Sequence, residues 1–334
     1  MFQIVDMHCD TISAIAGSRA EGKSCCLRQN TLHVDLNRMK EKGYLVQNFA
    51  LFVDRERVLK QYPVSAENPE PLWNEVCCLY DIYREELALN QDLIAPAQSY
   101  EEIVHNQSMG KMSAVLTVEE GGVCSGSLDR LEELYRMGVR MLTLTWNYPN
   151  ELGCSASEAE NRSLLRNTDQ GTGLTEKGRE FVARMNELGM IIDVSHLSDE
   201  GFRDVCKLSR APFVASHSNA RAICRHRRNL TDEMIRKLAD RGGCMGLNFY
   251  QSFLKGDFGG GMEDLICHAR HIVKVGGEQV LGLGTDFDGM DTNPSLEGVQ
   301  CMDRVWDALH RAGFREALLD KIFYENVLRV YREC

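Results

Sequence analysis

The sequence predicts an α/β protein of the (β/α)8 TIM-barrel class. Three observations predict it. Eight short apolar runs with strand character recur at residues 2–8, 44–52, 113–119, 139–146, 190–196, 212–217, 243–249 and 280–286. Helix-patterned segments lie between them, and strict alternation of strand and helix implies a parallel sheet with helical crossovers. The chain has 334 residues, a little beyond the ~250 of a barrel without loop insertions. An open doubly wound sheet is the rival, and it calls for a glycine-rich phosphate loop after the first strand. Here that strand ends in His8-Cys9-Asp10 instead.

Taken in order, residues 31–42 lead as a helix to the second strand, and 67–90 form a long inserted helical stretch. Segment 99–109 precedes the third strand and 127–137 the fourth. Segment 174–188, with Thr175 and Glu176 near its start, leads to the fifth. Segments 198–209, 231–241, 262–275 and 297–311 follow, and a helical tail runs from 315 to 332. There is no internal repeat, low-complexity tract or clear linker, so residues 1–334 are expected to form a single domain.

Composition narrows the function. Hydrophobic residues make up 43% of the chain, enough for a large core. Lys plus Arg total 38 against 49 Asp plus Glu, a formal charge of −11, which argues against a general nucleic-acid binder. No apolar run approaches the roughly 20 residues of a membrane span, and no secretory signal pattern is expected at the N-terminus. Thirteen cysteines, with no C-x-x-C, suggest reduced thiols in a cytoplasm rather than disulfides or a thiolate zinc site.

Six acidic and imidazole residues sit where apolar runs stop: His8, Asp10, Glu119 or its neighbour Glu120, His196, His217 and Asp286. A buried strand end is a costly place for an ionisable group unless something compensates it. A pair of divalent cations would compensate all six. His8 and Asp10, two apart on a strand, share a face, and imidazole with carboxylate suits zinc. A hydrogen-bonded His–Asp pair is the plainer alternative. Alternation cannot choose between Glu119 and Glu120, because both faces of a barrel strand are buried. Glu119 is favoured as the residue completing the run, with Glu120 as an exposed loop charge. His196 and His217 both follow an apolar strand and a serine, which would set two imidazoles side by side on the rim. His33, His105, His226, His268, His271 and His310 read as surface or locally bonded residues. Asp286 is placed to move a proton near a metal, while Asp288 fits a structural turn with Gly289. In the basic cluster Arg225 to Asn229, one arginine could clamp a substrate carboxylate.

Together, DMHCDT, the Val-Glu before Gly121-Gly122, GVRMLTLTWN, GLTEKGRE, DVSHLS, SHSNAR, RRNLTD, GLNFY, GTDFDG and IFYENVLRV make the chain resemble the membrane (renal) dipeptidase family of zinc metallopeptidases, a branch of the amidohydrolase-like barrels. The resemblance covers essentially the whole chain. It implies two zinc ions per subunit, one held by His8 and Asp10, the other by His196 and His217, with Glu119 bridging. It implies hydrolysis of dipeptides, broad enough to take a C-terminal D-residue, by attack of a metal-bridging hydroxide, with Asp286 carrying the proton. It implies that Arg228 binds the substrate carboxylate and that Tyr250 lines its pocket. The partner is then a small-molecule dipeptide, with no nucleic acid and no membrane, and a homodimer is allowed. One departure stands out. Relatives of the mammalian type carry a histidine in LTLTH to stabilise the tetrahedral intermediate, and this chain has Trp146 there, followed by Asn147. Indole donates a hydrogen bond but carries no charge.

Two other readings remain. One keeps the metals but cleaves another small amide or a lactone; Arg228→Ala would then leave a substrate without a carboxylate unaffected. The other is a metal-free binding protein, which only trace zinc after gentle purification would support.

Overall fold

The structure is a computed structural model that describes residues 2–159, 171–256 and 259–334. Strand β1 spans Ile4–Cys9, β2 Tyr44–Phe52, β3 Ile94–Pro96, β4 Met112–Glu119 and β5 Val139–Thr143. Strand β6 spans Ile191–Asp193, β7 Val214–Ala215, β8 Cys244–Leu247 and β9 Leu281–Leu283. All pairings among these nine strands are parallel. The order β1-β2-β4-β5-β6-β7-β8-β9 closes where β9 pairs with β1, at Asp6 and Leu283. This is the eight-stranded barrel that the runs predict. Among the described residues, the added β3 pairs only with the start of β4.

Local sequence explains the regular alternation. Asp35, Ser99, Thr175, Ser198 and Thr231 each cap a crossover helix by accepting the backbone N–H three residues on. Gly43, Gly138 and Gly189 take the left-handed conformation that ends three helices just before β2, β5 and β6. Helices were also found that the periodicity does not predict, at Thr11–Ala20, Arg55–Gln61 and Gln251–Lys255.

The barrel interior packs Val5, Met7, Val115, Met141, Ile191, Val214 and Cys244 against Val327 and Val330. The C-terminal helix Asn326–Glu333 therefore plugs one end of the barrel. Near the other end, β8 and β9 press close to β7. A Cβ on Gly246 or Gly284 would lie 1.9 or 1.7 Å from the Ser216 carbonyl oxygen, so no larger residue fits there without moving the strands. That open end carries the site.

Candidate metal centre

The expected strand-end residues converge, although only His8 and Glu119 lie within strands. Asp10 follows β1 directly, His217 follows β7 by two residues, and His196 and Asp286 follow β6 and β9 by three. His196 and Asp286 adopt φ of 67° and 65°. Such conformations cost of order 1–3 kcal/mol each and persist where the surroundings enforce them.

All six are buried or nearly so, and two groups meet at His8. His8 Nε2 lies 3.4 Å from Asp10 Oδ2, 3.4 Å from Glu119 Oε2 and 3.7 Å from Asp286 Oδ1. On the far side, Glu119 Oε1 lies 3.1 Å from His196 Nε2 and 3.4 Å from His217 Nε2. Glu119 thus turns one oxygen toward each half. Glu120 does not compete, and it is not the exposed charge expected of it. It is fully buried at φ 91°, which rotates its carboxylate away to accept from Gly122 N, Trp146 N and Asn150 Nδ2. Glu120→Ala is expected to destabilise the fold by about 1–3 kcal/mol, because buried donors lose their acceptor, while metal content stays unchanged. Thermal melts beside metal analysis check this.

The histidine rings are fixed from behind. His196 Nδ1 meets Asn147 Oδ1 at 2.9 Å, and His217 Nδ1 meets Ser216 Oγ at 2.8 Å. Ser216 donates its own hydrogen to Asp193 Oδ2 at 2.6 Å, so it accepts from His217. Asp193 also accepts from Thr143 Oγ1, Ser195 N and Ser216 N. Both Nδ1 atoms therefore carry hydrogens, which leaves two Nε2 lone pairs facing each other 3.1 Å apart. His8 Nδ1 and Nε2 and Asp10 Oδ1 are buried without a hydrogen-bond partner. Imidazole and carboxylate groups crowded this closely fit divalent cations held by nitrogen and oxygen.

The electrostatics agree. Burial pushes Asp10 up to about 6 and Asp286 up to about 7, each partly offset by His8. Burial opposes charge on His8, but Glu119 and Asp10 outweigh it and hold the imidazole well above its usual value. Burial would raise Glu119 too, yet His8, His196 and His217 hold it well below the carboxylate range. Burial and the nearby charge of Arg228 or His8 depress His196 well below its usual value and His217 to about 4. The raised values of Asp10 and Asp286 mean that the site resists further negative charge, a strain that added cations would relieve.

Above them opens a cavity of about 570 Å³, lined by Phe52, Trp146, Asn147, Tyr250, Phe253, Asp288 and Met290 as well as by four of the six. Trp146 packs between Phe52, Tyr148 and the His196 ring. Arg228 is buried to the side, its guanidinium over Phe253 at 5.3 Å and one nitrogen donating to His217 O at 3.4 Å. Its Nε is buried without a partner. Burial lowers its pKa to about 10, partly offset by Asp286 and Glu119.

The model of the membrane dipeptidase family, peptidase family M19, matches residues 1–334. The chain belongs to that family. A member of it is a metal-dependent dipeptidase, and the buried histidine and carboxylate groups accord with metal dependence. Among curated relatives, an uncharacterized dipeptidase of Schizosaccharomyces pombe is 31% identical over 308 residues, 91% of this chain and 72% of that protein. An uncharacterized protein encoded 5′ of pqqA in Klebsiella pneumoniae is 33% identical over 266 residues, covering 75% of this chain and 96% of its own. Among solved structures, a metallopeptidase of Rhodobacter sphaeroides bound to a phosphinate mimic of L-Ala-D-Ala is 27% identical, covers 99% of both chains and superposes with a TM-score of 0.86. Among the described residues of this dipeptidase, no helix is long and apolar enough to cross a membrane.

Sequence reasoning missed several residues that shape the site. Asp6 accepts from Thr285 N and Oγ1, which locks the middle of β1 to the segment after β9. Asp193, Asn248 and Phe52 were missed as well. An aspartate inside an apolar run, two or three residues before a histidine, was the available signal for Asp6 and Asp193.

Proposed function

We propose that this dipeptidase binds two zinc ions and hydrolyses dipeptides with a free C-terminal carboxylate, D-residues included. The observation that carries the reading is Glu119, whose two oxygens face separate histidine groups. His8 and Asp10 would hold one ion, His196 and His217 the other, and Glu119 both; the mixed nitrogen and oxygen donors suit zinc. When bound, such ions supply Lewis acidity at the scissile carbonyl and a water of lowered pKa.

The chain's own groups supply the rest. Asp286 takes the proton of the attacking water and returns it to the departing amine nitrogen. Arg228, charged and with an unpartnered Nε, binds the substrate carboxylate. Tyr250 and Phe253 wall that side, and Trp146 with Phe52 forms an apolar wall on the β2–β5 side. Asn147 spends its oxygen on His196, so its amide N–H groups are the donors left to face substrate. The D-residue is supported by the L-Ala-D-Ala mimic in the Rhodobacter sphaeroides relative. The match along the whole chain supports one domain over residues 1–334.

The test is a panel of L,L- and L,D-dipeptides and their C-terminal amides, run with chelator and with zinc restored. Free dipeptides are expected to be cleaved only with metal, and amides at least ~10-fold less well, since a charged hydrogen bond is worth about 1.5–3 kcal/mol. Arg228→Ala should raise KM for dipeptides and close that gap. Silence across the panel with two zincs bound would sink the reading and favour another amide or lactone.

A further inference from the structure

Asn248 follows β8 directly and is fully buried. Its side-chain amide links the proposed proton carrier to Tyr250, and both of those residues line the cavity. Nδ2 donates to Asp286 Oδ2 at 2.9 Å and, at longer range, to His217 O at 3.4 Å. Oδ1 accepts the Tyr250 N–H at 2.6 Å. With the oxygen committed to Tyr250, the amide cannot turn over, so only N–H faces Asp286.

We propose that Asn248 is a positioning residue that assigns separate tasks to the two oxygens of Asp286. This deepens the reading above and rests on Asp286 as the proton carrier. An oxygen that accepts a hydrogen bond from an amide N–H is less basic than its free partner and is the poorer place for a proton. Oδ2 is that oxygen. Oδ1 is left to take and return the proton, and it is the oxygen that faces the centre, 3.7 Å from His8 Nε2. Without the amide the carboxylate rotates about its terminal torsion, and the proton is carried in fewer productive orientations.

The backbone of Asn248 is held by other means, which separates positioning from folding. Asn248 N donates to Asn219 Oδ1 at 3.0 Å, and Asn219 Nδ2 donates to Asn248 O at 2.9 Å. Neither bond uses the Asn248 side chain.

The experiment uses the zinc-loaded full-length enzyme with Asn248→Ala and the near-isosteric Asn248→Leu. Both are expected to lower kcat by roughly 10- to 100-fold, the range for groups that orient reacting residues, with KM and zinc content unchanged. In Asp286→Asn, adding Asn248→Ala should cost nothing further, because the residue acts through Asp286. A depsipeptide, whose ester needs less help from an acid on departure, should show a smaller defect. Full additivity of the two substitutions, or loss of zinc or a rise in KM matching the loss in kcat, would overturn the proposal. A defective Asp286→Asn beside a fully active Asn248→Leu would do so too. A fully active Asp286→Asn would instead overturn the reading on which the proposal rests.

Discussion

Glu119→Ala is expected to lower kcat/KM by about 10³-fold or more, since each tenfold corresponds to ~1.4 kcal/mol and metal catalysis supplies several kcal/mol. The same substitution is expected to leave less than the full zinc complement after dialysis. Glu119 is 3% exposed, and its two oxygens face three imidazoles. Its loss therefore damages both halves at once. Glu119→Asp should recover little, because one methylene fewer cannot reach both histidine groups. Metal analysis beside steady-state kinetics checks the pair of outcomes. Full zinc content with near-normal turnover would show that the two halves need no common carboxylate.

The second large effect is expected from Asp286→Asn. General acid–base groups contribute typically ~10²- to 10⁴-fold, and that is the expected fall in kcat. KM should hold steady, as for an interaction made only in the transition state. Asp286 Oδ1 is the more distant neighbour of His8 Nε2, at 3.7 Å against 3.4 Å for Asp10 and Glu119. Zinc content should thus survive. Asparagine keeps the size of the side chain, which preserves contact with Asn248. A variant that binds zinc normally and turns over at the wild-type rate would remove Asp286 from the chemistry.

Most of the barrel was legible because its strands are apolar runs closed by caps and glycines, signals that depend only on near neighbours. Strand β3 was not, since three residues ending in Pro96 carry no periodicity. The helix Thr11–Ala20 escaped because its small residues and Gly17 leave only a weak apolar stripe. In the site, a charge ending an apolar run was readable wherever it occurred. The different directions of Glu119 and Glu120 were not, because they follow from the φ of 91° at Glu120 and from its partners on the segment after β5. Asp193 and Asn248 were hidden for a similar reason. Their bonds join strands far apart in sequence, and no local pattern announces them.

The closure of β9 onto β1 has a consequence for how the protein is made. Asp6 and Thr285 are 279 residues apart in sequence, yet they bond where the barrel shuts. His8 lies on the strand that waits, and Asp286 on the segment that arrives last. Contacts of such long range form slowly and late. Until β9 docks, the chain therefore lacks Asp286 beside His8 and lacks the bond that holds β1 in place. Barrel closure and the arrival of the proposed proton carrier thus become a single late event.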